Sequence, residues 1–594
     1  MKEYSACEII VEFLIKQKIP YAAGVPGHGI LAFLDAFHGR EDKIKLITVK
    51  HEQSAVHLAD AYFRACGKPL VVFTSVGPGA INTLVGLGTA FCDSIPVVVF
   101  TASCPTHMFE RGAIQELERN QWADLPNMSK PVTKRTWQIT NIKQLPDVLQ
   151  RAFRVAVSGR PGPVHIDLPM DIQAASLETE IPEPARYSVS SRISGDIVDT
   201  ERAVQLILSA KRPAFLAGGG VILSDASEEL INIAEYLGIP VVTTIMGKGA
   251  IPEDHALAVY YGGSKGSTCG NAIEQTADVI IAVGCRFAEW TSSSFKHGET
   301  FNIPPTKLIH IDIDPREIGK NYPIEVGIQG DAKTILSIMY EKIRKQVSMK
   351  DYQSTPYFME IQKLKQKWEE TKESQITDSL PMTTTKFLKE LREFLDRDSI
   401  VVGAAGHAQA QLFQEFPVYE PRTHISTGAF STMGFCVPGT IGAKLAFPHK
   451  KVVGVMGDGD FLMTCQELAT AVQYNIPVVY CLLNNYGWLS IRDLQIHHYG
   501  IDRQIATEFI QEETRNPYNP DFVKMAESFG AYAERINNPE DIQEALKRAF
   551  DSGKPAVLEI ITATKFPESE GALAGWAEFP VPKYLAMTDN EATR

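Results

Sequence analysis

Two groups of residues are spaced as if for chemistry on a phosphorylated ligand. Gly457, Asp458, Gly459 and Asp460 follow the apolar run VVGVM, and Asn484-Asn485 follows the next such run, VVYCLL. Small glycines let a diphosphate approach the backbone. Asp458 and the side-chain carbonyl of Asn485 offer the hard oxygen donors that Mg²⁺ takes alongside phosphate oxygens, and a backbone oxygen near Gly487 would complete the set. A lone Gly-Asp-Gly is equally a tight turn after a strand; the asparagine pair favours the ligand reading. Far away in the chain, Glu52 in KHEQSA provides a carboxyl able to exchange a proton with a ring nitrogen, or else a simple helix cap. His28 in GVPGHGI stands at the end of the first strand, where an imidazole can shuttle protons or merely serve the turn. Gln115 in GAIQE carries an amide able to donate to a carbonyl or to lie on the surface.

The elements that must position these residues are short apolar runs alternating with longer amphipathic stretches, the pattern of parallel sheets covered by helices. The fold class is α/β, with three parallel-sheet domains expected over 1–180, 190–345 and 375–565. A charged helical connector runs at roughly 355–376, and a Gly-, Glu- and Pro-rich tail or lid occupies 566–594. The 594 residues, 44% of them hydrophobic, supply ample core for three such units. The net charge of -13 is dispersed, and no basic cluster tracks a phosphate backbone, so nucleic acid is not an expected partner. Nine cysteines without paired spacing read as mostly buried, reduced core residues. Acidic residues interrupt the apolar positions of MKEYSACEIIVEFLIKQ, which recur with helical period. That excludes a signal peptide or membrane span there and points to the cytoplasm.

The interval from Gly457 to Asn485 resembles the thiamin diphosphate-binding motif, which begins GDG and ends NN. VKHEQSAVHLADAYFRACGKP, SVGPGAINTLVGL, GRPGPVHIDLPMDI, GKGAIPEDH and STMGFCVPGTIGAKLA likewise resemble signature segments of the acetolactate synthase-like family, in the family's order and over nearly the whole chain. The resemblance implies Asp458, Asn485 and Gly487 as metal ligands. It implies Glu52 as the carboxyl on N1′ of the cofactor's aminopyrimidine, and Met433 as the residue propping the cofactor into a bent shape, a contact that ordinary core packing would also satisfy. Gly406 and His407 align with the diphosphate-contacting loop, although the usual Gly-Gln-His-Gln is not intact. Trp488 and Ile491 would shape the acyl pocket, and Arg492 would hold a carboxylate or phosphate or pair with Asp493 or Asp502. GAIQE stands where the family has GAFQE, with Ile114 in place of the aromatic. Gly218–Gly220 and Arg286 resemble a region that holds FAD in some relatives and an adenine nucleotide or coenzyme A in others. GSKGSTCG and CRFAEWTSS, however, depart from the flavin-containing synthases.

The implied cofactors are thiamin diphosphate and Mg²⁺, with FAD or an adenine nucleotide in the central domain. The implied activity is decarboxylation of a 2-oxo acid such as pyruvate and carboligation through an enamine. The alternative is a lyase acting on a 2-hydroxyacyl-CoA thioester, and a third reading is a homologue that binds cofactor without chemistry. The family also implies a homodimer or homotetramer with the site between subunits.

Overall fold

Runs of aliphatic and β-branched residues become strands with both faces covered, as expected of parallel sheets packed by helices on either side. The computed structural model describes residues 2–117, 124–189, 191–377, 379–564 and 578–582. In the first unit β1 (Lys2–Ser5) is followed by β2 (Tyr21–Val25), β3 (Lys45–Thr48), β4 (Val71–Thr74), β5 (Val98–Ser103), β6 (Arg135–Gln138), β7 (Val164–Pro169) and β8 (Ser176–Thr179). Six of these form a parallel sheet in the order β3-β2-β4-β5-β7-β6, while β1 and β8 pair antiparallel beside it. The helical period of the N-terminus holds only from Ala6. Ser5 accepts the Glu8 amide and Glu8 accepts the Ser5 amide, a capping box that starts the helix there and leaves Lys2–Ser5 free to pair.

The second unit comprises β9 (Pro213–Ala217), β10 (Val241–Thr243), β11 (Ala258–Tyr261), β12 (Val279–Val283), β13 (Lys307–Asp312) and β14 (Val326–Gln329), ordered β11-β10-β9-β12-β13-β14. The connector forms the helix Pro356–Ser374, capped by Thr355. It buries Ile361 and Trp368 and is pinned to this unit by Arg212–Glu360 at 2.8 Å. The third unit comprises β15 (Ile400–Gly403), β16 (His424–Ile425), β17 (Val452–Gly457), β18 (Val479–Asn484), β19 (Tyr532–Ile536) and β20 (Ala556–Ile561), ordered β16-β15-β17-β18-β20-β19.

In the first and third sheets chain direction across the sheet reverses beside β2 and β15, and a crevice for ligands opens at the carboxyl ends of the strands at such a point. The core of the first unit is continuous with part of the third. Leu58 on the helix Glu52–Cys66 meets the helix Cys436–Ala446 so closely that a Cβ on Gly442 would stand 2.1 Å from the Leu58 carbonyl oxygen. All nine cysteines are free, six of them buried. Among the described residues no helix is long and apolar enough to cross a membrane. The tail read at 566–594 lies outside the described residues except for 578–582, where the Glu578 amide donates to Ser294 and Phe579 packs on His498.

Candidate functional site

Three loops at the carboxyl ends of the first sheet, after β2, β3 and β5, converge on the turn Ser75–Gly79 that follows β4. Ser75 accepts the Gly29 amide at 3.2 Å beside His28, which is exposed at the start of a short 3₁₀ turn. Gly77 has φ +50, and a Cβ there would stand 1.7 Å from the Gln115 carbonyl oxygen; glycine is therefore required both for the backbone angle and for the approach. Gln115 itself has φ +65 and an exposed side chain, and its loop is tied down by Glu116, which accepts the Cys104 amide at 2.6 Å. Gly79 lies against Glu52, and the Asn82 side chain donates to Glu52 Oε2 at 2.9 Å. Glu52 is half-buried at the first position of its helix, whose start is capped by His51 accepting the Gln53 amide. One turn thus gathers His28, Glu52 and Gln115. The segment that follows GAIQE falls partly at 118–123, outside the described residues.

The second group assembles at the third sheet. β15 leads to Gly406 (φ +98), which starts the helix His407–Glu415 without a side-chain cap, and no atom lies within 4 Å of where its Cβ would stand. The helix therefore presents uncapped amides, the arrangement that receives phosphate. Burial, together with the charges of Lys265 and Arg492, holds His407 well below the ordinary imidazole range. Its Nε2 lies 3.8 Å from Asp493. β17 leads into Asp458, which is 1% exposed. Its Oδ1 accepts the Gly459 amide at 2.9 Å and its Oδ2 accepts Asn519 Nδ2 at 2.8 Å. Burial raises its pKa from the ordinary aspartate value, opposed by the Asn519 hydrogen bond and by the Gly459, Tyr486 and Gly487 amides. Asp460 accepts the Gly434 amide at 2.7 Å and so fixes the backbone beside half-buried Met433. Its other oxygen is buried with no hydrogen-bond partner among the described residues, and burial pushes it up to about 7.

After β18 the two asparagines divide. Asn484 is buried, donates to Glu559 at 2.8 Å and accepts Asn519 Nδ2 at 2.8 Å. Asn485 is half-buried, and its side chain makes no hydrogen bond among the described residues. Gly487 bridges to Glu508, and Trp488 lays its ring over Gly459, edge-on to Phe509 at 5.1 Å. Arg492 pairs with Asp493 at 3.0 Å and donates to the Thr564 carbonyl, which is the salt-bridge alternative of the two read from sequence.

These residues fit a diphosphate and Mg²⁺. Asp458 and Asn485 project from adjacent strand ends, the Cα of Gly457 faces open space, and the donors are hard oxygens. Among the described residues no three His, Cys, Asp or Glu side chains are placed to hold a metal, and this donor set would contain only one of them. Among the described residues no hydrogen bond or ion pair joins His28, Glu52 or Gln115 to the third-sheet group within the chain. Sequence reasoning missed Asn82, Asn519 and Glu467, the last of which accepts the amides of Lys50 and His51 just before Glu52.

A cavity of about 960 Å³ lies where all three units meet, lined by Gly219, Gly220 and Arg286 of the second, Arg64 and Asp93 of the first and Gly428 of the third. Arg64 is buried between Asp60 and Asp93, and Asp93 accepts the Gly428 amide at 2.7 Å, so one buried charge network welds this junction.

Models of the thiamine pyrophosphate enzymes match the chain three times: the N-terminal TPP binding domain at 5–123, the central domain at 200–339 and the C-terminal TPP binding domain at 404–560. The chain is 39% identical over 568 residues to a probable acetolactate synthase large subunit of Methanococcus aeolicus, covering 93% of this chain and 91% of that protein. It is 33% identical over 574 residues to the acetolactate synthase isozyme 3 large subunit of Escherichia coli, covering 95% of each. Against the mitochondrial acetolactate synthase catalytic subunit of Saccharomyces cerevisiae the identity is 33% over 583 residues, covering 94% and 81%.

Proposed function

The chain belongs to the acetolactate synthase-like thiamine pyrophosphate enzymes, and from that premise we propose that it decarboxylates a 2-oxo acid such as pyruvate and joins the remaining acyl unit to a second carbonyl. The observation that carries the reading is the pair of strand-end groups, Glu52 with Asn82 on one sheet and Asp458 with Asn485 on the other. When bound, thiamin diphosphate supplies a carbon nucleophile and an electron sink.

The chain's residues do the rest. Asp458, Asn485 and the Gly487 carbonyl hold Mg²⁺, while the amides after Gly406 and around Gly457, Gly459 and Asp460 receive the diphosphate. Met433 would support the cofactor, Trp488 lies over the motif, and His407 would contribute its ring and its amide. Glu52 exchanges a proton with N1′ of the aminopyrimidine, held in place by Asn82. His28 and Gln115, gathered by the same turn, face the substrate, with His28 moving protons and Gln115 donating to a carbonyl. The two groups serve one cofactor across a subunit boundary, so the enzyme is a homodimer or homotetramer. FAD or an adenine nucleotide, if one is bound, would take the junction cavity beside Gly219, Gly220 and Arg286. The domain limits are taken as 1–180, 190–345 and 375–565, with 566–594 a tail or lid.

The test is turnover of pyruvate by the purified chain with thiamin diphosphate and Mg²⁺. Acetolactate formed with one CO₂ per molecule supports the reading. Silence with pyruvate beside cleavage of a 2-hydroxyacyl-CoA thioester overturns it.

A further inference from the structure

Glu467 is fully buried, yet no Lys, Arg or His pairs with it among the described residues. Its Oε1 accepts the backbone N–H of Lys50 at 3.0 Å and of His51 at 3.1 Å; its Oε2 accepts Lys50 again at 3.2 Å and the Thr470 hydroxyl at 2.6 Å. The neighbouring residues of the third unit grip the same turn of the first. Tyr474 accepts the Thr48 amide at 2.8 Å, and Gln473 accepts Lys50 Nζ at 2.8 Å. The peptide between β3 and Glu52 therefore hangs on residues 467–474. A carboxylate suits this place twice over. It accepts two backbone amides from within the third unit's core, each bond to a charged acceptor contributing about 1.5–3 kcal/mol, and it lies at the positive end of the fifteen-residue helix Glu52–Cys66.

We propose that Glu467 is a positioning residue for Glu52, fixing the backbone from which that carboxyl reaches the aminopyrimidine. The inference rests on the role given to Glu52 above. Glu467 also ends the short span that begins at Asp458, since the helix Asp458–Thr464 runs directly into the 3₁₀ turn Cys465–Glu467. One stretch of chain thus carries a metal donor at one end and the anchor of the Glu52 helix at the other. With the cofactor shared between subunits, these two ends serve different cofactors.

The test uses the full-length chain as Glu467→Gln, which keeps the volume and one acceptor oxygen, with Glu467→Ala beside it; if the alanine variant does not fold, the glutamine variant carries the test alone. Amide hydrogen exchange of the cofactor-free protein reads the turn directly. Near-ultraviolet circular dichroism of the loaded protein reads the aminopyrimidine tautomer, and steady-state kinetics separate kcat from KM. The expected result for Glu467→Gln is exchange accelerated about tenfold at residues 48–55 and unaltered in the three sheets, as for loss of a local hydrogen bond. The tautomer band weakens, and kcat falls about tenfold with KM for pyruvate and affinity for Mg²⁺ within about twofold. Unaltered exchange at 48–55, equal acceleration throughout the chain, or full recovery of kcat on adding more thiamin diphosphate and Mg²⁺ would overturn the proposal. Because exchange is read without cofactor or substrate, a wild-type protein inert toward pyruvate counts against the proposed activity and leaves this arm standing.

Discussion

Replacing Asn519 by Leu should weaken Mg²⁺ binding without touching a metal donor. Asn519 Nδ2 donates at 2.8 Å to Asp458 Oδ2 and at 2.8 Å to Asn484 Oδ1, holding the two strand ends in register. The first bond is to a carboxylate and contributes about 1.5–3 kcal/mol, and the second, between neutral amides, about 1 kcal/mol. Asn484 keeps Glu559, and Asp458 keeps the Gly459 amide, so neither side chain is released altogether. The loss falls on the aim of Asp458, and outer partners of metal ligands are typically worth about 10–100-fold in affinity. Titrating Mg²⁺ at saturating thiamin diphosphate, followed by tryptophan fluorescence because Trp488 lies over Gly459, gives the affinity. Melting curves without metal separate a local effect from unfolding. Affinity within about twofold of the wild type in a stable variant would refute the idea that this bridge aims the carboxylate.

Three further outcomes follow from the geometry. Gly459→Ala places a Cβ 2.1 Å from the Trp488 ring, so overpacking of about 1–3 kcal/mol should weaken thiamin diphosphate binding about tenfold, and Trp488→Leu in the same chain should restore it in calorimetric titrations. Asp312, at the end of β13 beside the cavity, has its carboxyl raised by burial from 3.8 to about 6. Folding disfavours its charged form, so stability is unaffected below the unfolded pKa, falls as pH rises from about 4 to 6, and stays lower by up to about 3 kcal/mol above that. Asp312→Asn should therefore melt higher than the wild type at pH 7, with the gap closing towards pH 4; a gap independent of pH would contradict this. Asn82→Leu removes the donor to Glu52 Oε2 and should lower kcat about tenfold with Mg²⁺ affinity unaltered, which steady-state kinetics and the same metal titration would check.

The strand-end placement of Asp458 and Asn485 is legible in the sequence because its signal is local: glycines and an acid after one apolar run, amides after the next. Glu52 was legible only by resemblance, since one glutamate at a helix start has many uses. What escaped were contacts made by distant chain. Asn519 reaches Asp458 across 61 positions from a Pro- and Asn-rich turn, and Asn82 reaches Glu52 across 30, where nothing in the spacing announces them. The connector read as charged and helical is the helix Pro356–Ser374, but the burial of Ile361 in the core of the second unit is a tertiary fact. The same holds for the cavity, whose walls come from three units and which no single segment encodes.

The central claim, that Glu52 of one subunit and Asp458 of another act on one thiamin diphosphate, is tested most directly by mixing two inactive variants. Glu52→Gln and Asp458→Asn chains, each alone, should form no acetolactate from pyruvate. Co-expressed in equal amounts they should regain about a quarter of wild-type activity, because half of randomly paired dimers are mixed and one of the two sites in each is then intact. No recovery from mixed oligomers shown to have formed would contradict the account.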